Sequence, residues 1–139
     1  MRLWHKDLIP VLTNRQLVTQ WTECIQLAAT TNNFDSSKGI YSYVKKVKEY
    51  PFVHLYNYGE LVYKEMRKRG HNISFRKFED YFEREEKEYI DYANIFYDWH
   101  NRRYLRQCYY ILQEKADCGN ITETEWLEIH RYVSWRIEV

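Results

Sequence analysis

The chain has 139 residues, with 21 lysines and arginines against 20 aspartates and glutamates, and 45% of it is hydrophobic. That length suits one domain, residues 1–139, with a core of its own, so folding requires neither a metal nor a disulfide. The near-balanced charge gives no support for a polyanion binder at the level of the whole chain but leaves room for a local basic face.

The opening "MRLWHKDLIP" carries Arg2 and Trp4 where chain ends are ordinarily frayed. The indole predicts a packed terminus. Nothing in it reads as a leader, and no apolar run reaches the length of a membrane span. The expectation is a soluble, cytoplasmic protein.

Glycine and proline are scarce, 4 and 2 residues, and helical spacing dominates. The first strong segment is "TNRQLVTQWTECIQLAAT". Thr13 and Gln16 have capping-box spacing. Leu17, Trp21, Cys24 and Ala28 form an apolar stripe, while Gln16, Gln20 and Glu23 fall on a polar face. "TNNFDSSKG" reads as a loop. "YSYVKKVKEYP" is short, basic and compatible with a helix ending before Pro51.

Next, Phe52, Leu55, Tyr56, Val62, Tyr63 and Met66 define a helix face on which Gly59 would admit a close neighbour. This segment ends in Arg67-Lys68-Arg69-Gly70, cations and then a glycine stop. From Ser74 to about Asp98 a stripe begins with Phe75, Phe78 and Phe82, and "EREEKE" reads as a solvated helix face. A further helix buries Tyr104, Leu105, Cys108, Ile111 and Leu112 and stops at Gly119. A last one starts with a capping box at Thr122 and Glu125. The fold class predicted is all-α, a single compact domain of about five helices.

Five histidines, at 5, 54, 71, 100 and 130, and three cysteines, at 24, 108 and 118, show no CxxC, HxxxH or HExxH spacing, so no metal site is expected. The odd, widely spaced cysteines read as reduced thiols. No glycine-rich phosphate loop and no nucleophile elbow is present. Aromatic residues make up 18% of the chain, enough to fill a core and to offer stacking surfaces for bases. They mix with cations in two places. Tyr41, Tyr43 and Tyr50 interleave with Lys45, Lys46 and Lys48, and Arg102, Arg103 and Arg106 flank Tyr104, Tyr109 and Tyr110. Cations beside rings suit a phosphate backbone with bases stacking nearby, and they equally suit an ordinary solvated helix.

"MRLW" at the start, "RQLVTQWTE" ending at Glu23 and "EMRKRGHNI" at the end of a later helix together resemble the pyrimidine-dimer DNA glycosylases of the phage endonuclease V type. The resemblance implies an enzyme that needs no cofactor, acts as a monomer on damaged double-stranded DNA and flips a base from the duplex. It implies that the terminal α-amine attacks C1′ of the damaged nucleotide and that a Schiff base forms as the glycosidic bond breaks. A glutamate of the first helix assists, and β-elimination nicks the strand. Glu23 matches that glutamate. Arg2 matches the arginine after the terminal residue, and a bulky second residue keeps the initiator, so the nucleophile is the amine of Met1. Arginines flank the family's glutamate; Thr22 and Gln26 hold those positions here. They join Arg2, Lys45, Lys46, Arg102 and Arg103 as the expected DNA contacts. At pH 7 roughly a tenth of a free α-amine is neutral, against about 0.04% of a lysine. The alternative is a non-catalytic helical module that keeps the fold and binds nucleic acid or protein.

Overall fold

The structure, a computed structural model, describes residues 2–32 and 41–137. Met1 and most of the loop expected at 31–39 lie outside the described residues. A short non-helical segment at residues 2–5 leads into a 3₁₀ turn, Lys6–Val11. There follow α1 (Asn14–Asn32), α2 (Tyr41–Val47), α3 (Val53–Lys68) and the one-turn α4 (Arg76–Glu79). Two more 3₁₀ turns, Arg84–Lys87 and Tyr92–Asn94, precede α5 (Arg102–Asp117) and α6 (Glu123–Ile137). Every described element is helical, and five α-helices have seven residues or more, in line with the helical spacing of the sequence.

The helix ends form for the predicted reasons. At the start of α1 the Thr13 amide donates to Gln16 Oε1 at 3.0 Å and the Gln16 amide to Thr13 Oγ1 at 3.2 Å. Thr122 and Glu125 make the same reciprocal pair before α6, at 2.9 and 3.2 Å. Gly70 and Gly119 end α3 and α5 with φ of 91° and 81°, left-handed stops that cost glycine no Cβ clash.

α1 packs along α3, and α5 along α6. The predicted stripe of Leu17, Trp21, Cys24 and Ala28 is buried, as are Leu55, Val62 and Met66 of α3. Gly59 is buried on α3 as well. A Cβ there would stand 2.3 Å from Phe78 Cζ, so the missing side chain is the space that the phenyl ring of α4 fills. Arg69, one residue past α3, ties that end to the turn before α1. Its guanidinium pairs with Glu65 at 2.9 Å and donates to the carbonyls of Leu12 at 2.7 Å and Pro10 at 3.1 Å.

The stretch from 74 to 98 departs from the expected long helix. Phe78 and Phe82 are buried as predicted, but the helix stops after one turn. Past Phe82 the run of charges offers no apolar face to bury, and the chain is held by buried polar side chains instead. Asn57 of α3 donates to Glu88 O at 2.7 Å and accepts from the Ile90 amide at 3.1 Å. His54 Nδ1 accepts the Phe96 amide at 3.0 Å, and Lys6 Nζ donates to Ile95 O at 2.7 Å. These tertiary bonds satisfy an irregular backbone that a helix would have satisfied internally. Phe96, fully buried, is drawn into the left-handed region at φ 51°. "EREEKE" is solvated, as expected, though as a 3₁₀ turn rather than a helix face.

Candidate active site

Residues 2–4 cross the bundle, and three helices hold their backbone. The Arg2 amide points to Glu23 Oε2 at 3.4 Å. Gln20, one turn earlier on α1, donates from Nε2 to Arg2 O at 2.8 Å and to Glu23 Oε2 at 3.1 Å. Its Oε1 accepts the Trp4 amide at 2.7 Å. Tyr58 of α3 donates to Trp4 O at 2.6 Å, and Tyr104 of α5 to Leu3 O at 2.5 Å. Burial pushes both phenols above the usual tyrosine range, so each keeps the proton it donates. Leu3 and Trp4 are buried, and the predicted anchoring by the indole is met.

Gln20 falls on the polar face that the sequence predicts, yet it is 1% exposed. The segment that covers it is the chain's own N-terminal stretch, which helical periodicity alone does not register. The same cover half-buries Glu23. Desolvation raises the Glu23 carboxyl above its ordinary pKa, opposed by the hydrogen bonds from the Arg2 amide and Gln20.

Glu23 opens onto a cavity of about 510 Å³ lined by Arg2, Trp4, Arg15, Gln20, Ile111 and Lys115, among others. This size lies in the range of small-ligand sites. The Arg2 guanidinium lies over the Trp4 ring, 5.6 Å from its centroid. Thr22 and Gln26 flank Glu23 on the exposed side of α1. Of the other predicted contacts, Lys45 is exposed on α2, and Lys46 pairs with Glu49 at 3.2 Å and lies 5.9 Å from the Trp99 ring centroid. Arg102 and Arg103 are exposed in the first turn of α5, where Arg102 lines a different cavity with His5, Asp7 and Trp135. The structure therefore brings Arg2 to Glu23 and leaves those four cations outside its cavity. Arg15 and Gln20 fall within "RQLVTQWTE" and Tyr104 among the arginines of α5, whereas Lys115 and Tyr58 carry no motif. Only the one-turn spacing of Gln20 and Glu23 signals their contact in sequence.

A second polar cluster backs the same segment. His5 and His100 lie with ring centroids 5.1 Å apart, and His100 Nδ1 accepts the Lys6 amide at 2.9 Å. Burial lowers the pKa of His5 to about 4 and depresses those of His100 and Lys6. Among the described residues no group of three or more His, Cys, Asp or Glu side chains is placed to hold a metal. None of their helices is long and apolar enough to cross a membrane.

A sequence model of the family described as pyrimidine dimer DNA glycosylase matches residues 1–79. No curated protein and no solved structure matches the chain.

Proposed function

The chain belongs to the pyrimidine dimer DNA glycosylase family, and we propose that it is a glycosylase with abasic-site lyase activity on damaged double-stranded DNA. The nucleophile in this reading is the α-amine of Met1, and Glu23 is the acid/base. The observation that carries it is the docking of the Arg2 amide on the Glu23 carboxylate at 3.4 Å. Whatever conformation residue 1 adopts, its nitrogen is within one residue's reach, about 3.6 Å, of that amide. The amine is thereby limited to the neighbourhood of Glu23 and the cavity it opens on.

The chemistry follows from those two groups. The neutral amine attacks C1′ of the damaged nucleotide, the glycosidic C–N bond breaks, and the base departs with a proton. The sugar ring then opens: the C1′–O4′ bond breaks, O4′ takes a proton, and the nitrogen lone pair forms the protonated imine at C1′. Removal of a C2′ proton then breaks the C3′–O bond and nicks the strand. Glu23 serves these proton movements. Its raised pKa brings it toward neutral pH, where a carboxyl exchanges protons most effectively. Burial supplies the shift, and the Gln20 amide fixes the carboxylate's orientation. Imine chemistry of this kind needs no cofactor, and one copy of the chain carries both groups. Arg2, Thr22 and Gln26 border the reacting carboxylate and are proposed to meet DNA there, with Lys45, Lys46, Arg102 and Arg103 touching the duplex farther out.

Glu23→Gln tests the role, because it deletes the proton acceptor with little change in volume. Nicking of abasic duplex DNA should fall by about 10²–10⁴-fold while affinity for the duplex is kept. DNA binding by the parent without any nicking would make the chain a non-catalytic binding module instead.

A further inference from the structure

We infer that the hydroxyls of Tyr58, Tyr104 and Tyr43 are positioning groups for the proposed reaction, fixing where the terminal amine stands relative to Glu23. The inference rests on the reading of that amine as the nucleophile. Three consecutive carbonyls of the terminal segment each accept a hydrogen bond from a different helix: Arg2 O from Gln20 of α1 at 2.8 Å, Leu3 O from Tyr104 of α5 at 2.5 Å and Trp4 O from Tyr58 of α3 at 2.6 Å. The Tyr58 oxygen also stands 2.9 Å from Gln20 Oε1. One phenol thus borders both the segment that carries the amine and the side chain that orients the Glu23 carboxylate. Tyr43 of α2 is the outer member. It shares a hydrogen bond with Tyr104 and has Arg2 and Glu23 as charged neighbours. Because the Tyr104 proton goes to Leu3 O, its oxygen is left to accept the proton of Tyr43.

Apolar packing alone does not fix an amine. Leu3 and Trp4 are buried, which keeps the segment in the core, but apolar burial is non-directional and leaves the backbone free to turn about its own axis. Hydrogen bonds have preferred angles as well as lengths, and three on successive carbonyls set the peptide planes that lead to residue 1. The rings that carry the hydroxyls are themselves held. Tyr58 is fully buried and meets His100 edge-on with centroids 5.5 Å apart. Tyr104 packs on His100 at 5.3 Å and on Trp99 at 5.8 Å, and Tyr43 lies against Trp99 at 6.2 Å. A hydroxyl on a ring locked by packing is a fixed point, which is what a preorganised site needs. Buried carbonyls require donors in any fold; these donors converge on the one segment that ends at the proposed nucleophile.

The test is borohydride trapping of untagged protein on abasic duplex DNA under single-turnover conditions, with protein in excess. A misfolded fraction lowers the amplitude of trapping, whereas a misplaced amine lowers its rate constant. Tyr58→Phe and Tyr104→Phe each remove one hydroxyl and keep the ring. Their maximal rate constants should fall by about 10–100-fold, as expected for a shift of the amine by up to about 1 Å, with the amplitude and the half-saturating protein concentration retained. Tyr43→Phe should slow the parent and add nothing in the Tyr104→Phe background, because it acts through Tyr104. Tyr109→Phe is the control. It removes a phenol hydrogen bond from the same helix, the 2.7 Å contact with His130 of α6, and should leave the rate constant unchanged. A parent that traps while Tyr58→Phe and Tyr104→Phe match its rate constant overturns the inference and leaves the lyase reading standing. A loss of amplitude alone, or an equal slowing by Tyr109→Phe, overturns it in the same way. Further slowing by Tyr43→Phe in the double variant removes Tyr43 from the set. A parent that traps nothing overturns both the lyase reading and the inference.

Discussion

Both ends of the Gln20 carboxamide are committed: Nε2 to Arg2 O and Glu23, Oε1 to the Trp4 amide. No other side chain of that size offers a donor and an acceptor in this arrangement. Gln20→Glu keeps the shape and reverses the logic. An acceptor then faces Arg2 O, and a second carboxylate stands beside Glu23 at the distance of the present hydrogen bond, 3.1 Å. Like charges that close raise a carboxyl pKa further. The acid limb of the pH–rate profile for nicking should move to higher pH, and the rate should fall by roughly 100-fold as the terminal segment shifts. Gln20→Ala should slow nicking without that displacement of the profile. Equal profiles for both variants would reduce Gln20 to a packing residue. The sequence showed Glu23 as a polar-face residue near a packed terminus. It hid Gln20, because the partners that bury it, residues 2, 4 and 58, are set by tertiary docking.

At the scale of elements, the legible parts are those written in local chemistry. The capping boxes at Thr13 and Thr122, the stops at Gly70 and Gly119 and the apolar stripes all form where short-range rules place them. The segment after Phe82 was not legible, because its shape is imposed by Asn57, His54 and Lys6 reaching in from elsewhere. Gly59 was legible as a close approach, and the structure supplies the neighbour, Phe78. Gly59→Ala gains about 1 kcal/mol in helix propensity and forces a fully buried ring out of place, an overpacking that costs about 1–3 kcal/mol. The expected result is a net loss of stability and a Tm lower by several degrees. Thermal unfolding checks it, and an alanine variant more stable than the parent would contradict the packing described. The cavity's far wall illustrates the limit of sequence reading again: Arg15 and Lys115 lie 100 residues apart and meet only through the turn at Asn120.

Across the whole molecule, the N-terminal segment is both the plug of the core and the carrier of the proposed nucleophile. Its polar backing makes the fold sensitive to acid. His5, His54 and His100 are buried, and burial depresses all three pKa values below the ordinary 6.5. The unfolded chain takes up protons below pH 6.5 and the folded chain does not, so their contribution is complete above 6.5 and is lost as pH falls toward about 4, the value for His5. Each histidine adds up to about 1.4 kcal/mol per pH unit to that slope. Denaturant unfolding between pH 7 and pH 4 should show stability falling with acidification, and a rise would contradict the burial of these rings as neutral groups. The central claim concerns the backbone nitrogen at the start of the chain, which no side-chain mutation removes. Each added residue moves that nitrogen by up to about 3.5 Å, and a misplacement of 1 Å can cost about 100-fold in rate. The most direct measurement is borohydride trapping on abasic duplex DNA, comparing untagged protein with protein extended by one N-terminal residue or acetylated there. The account predicts a covalent complex mapped to Met1 for the untagged chain and its loss in the other two. Trapping at full rate by the extended or acetylated protein would contradict it.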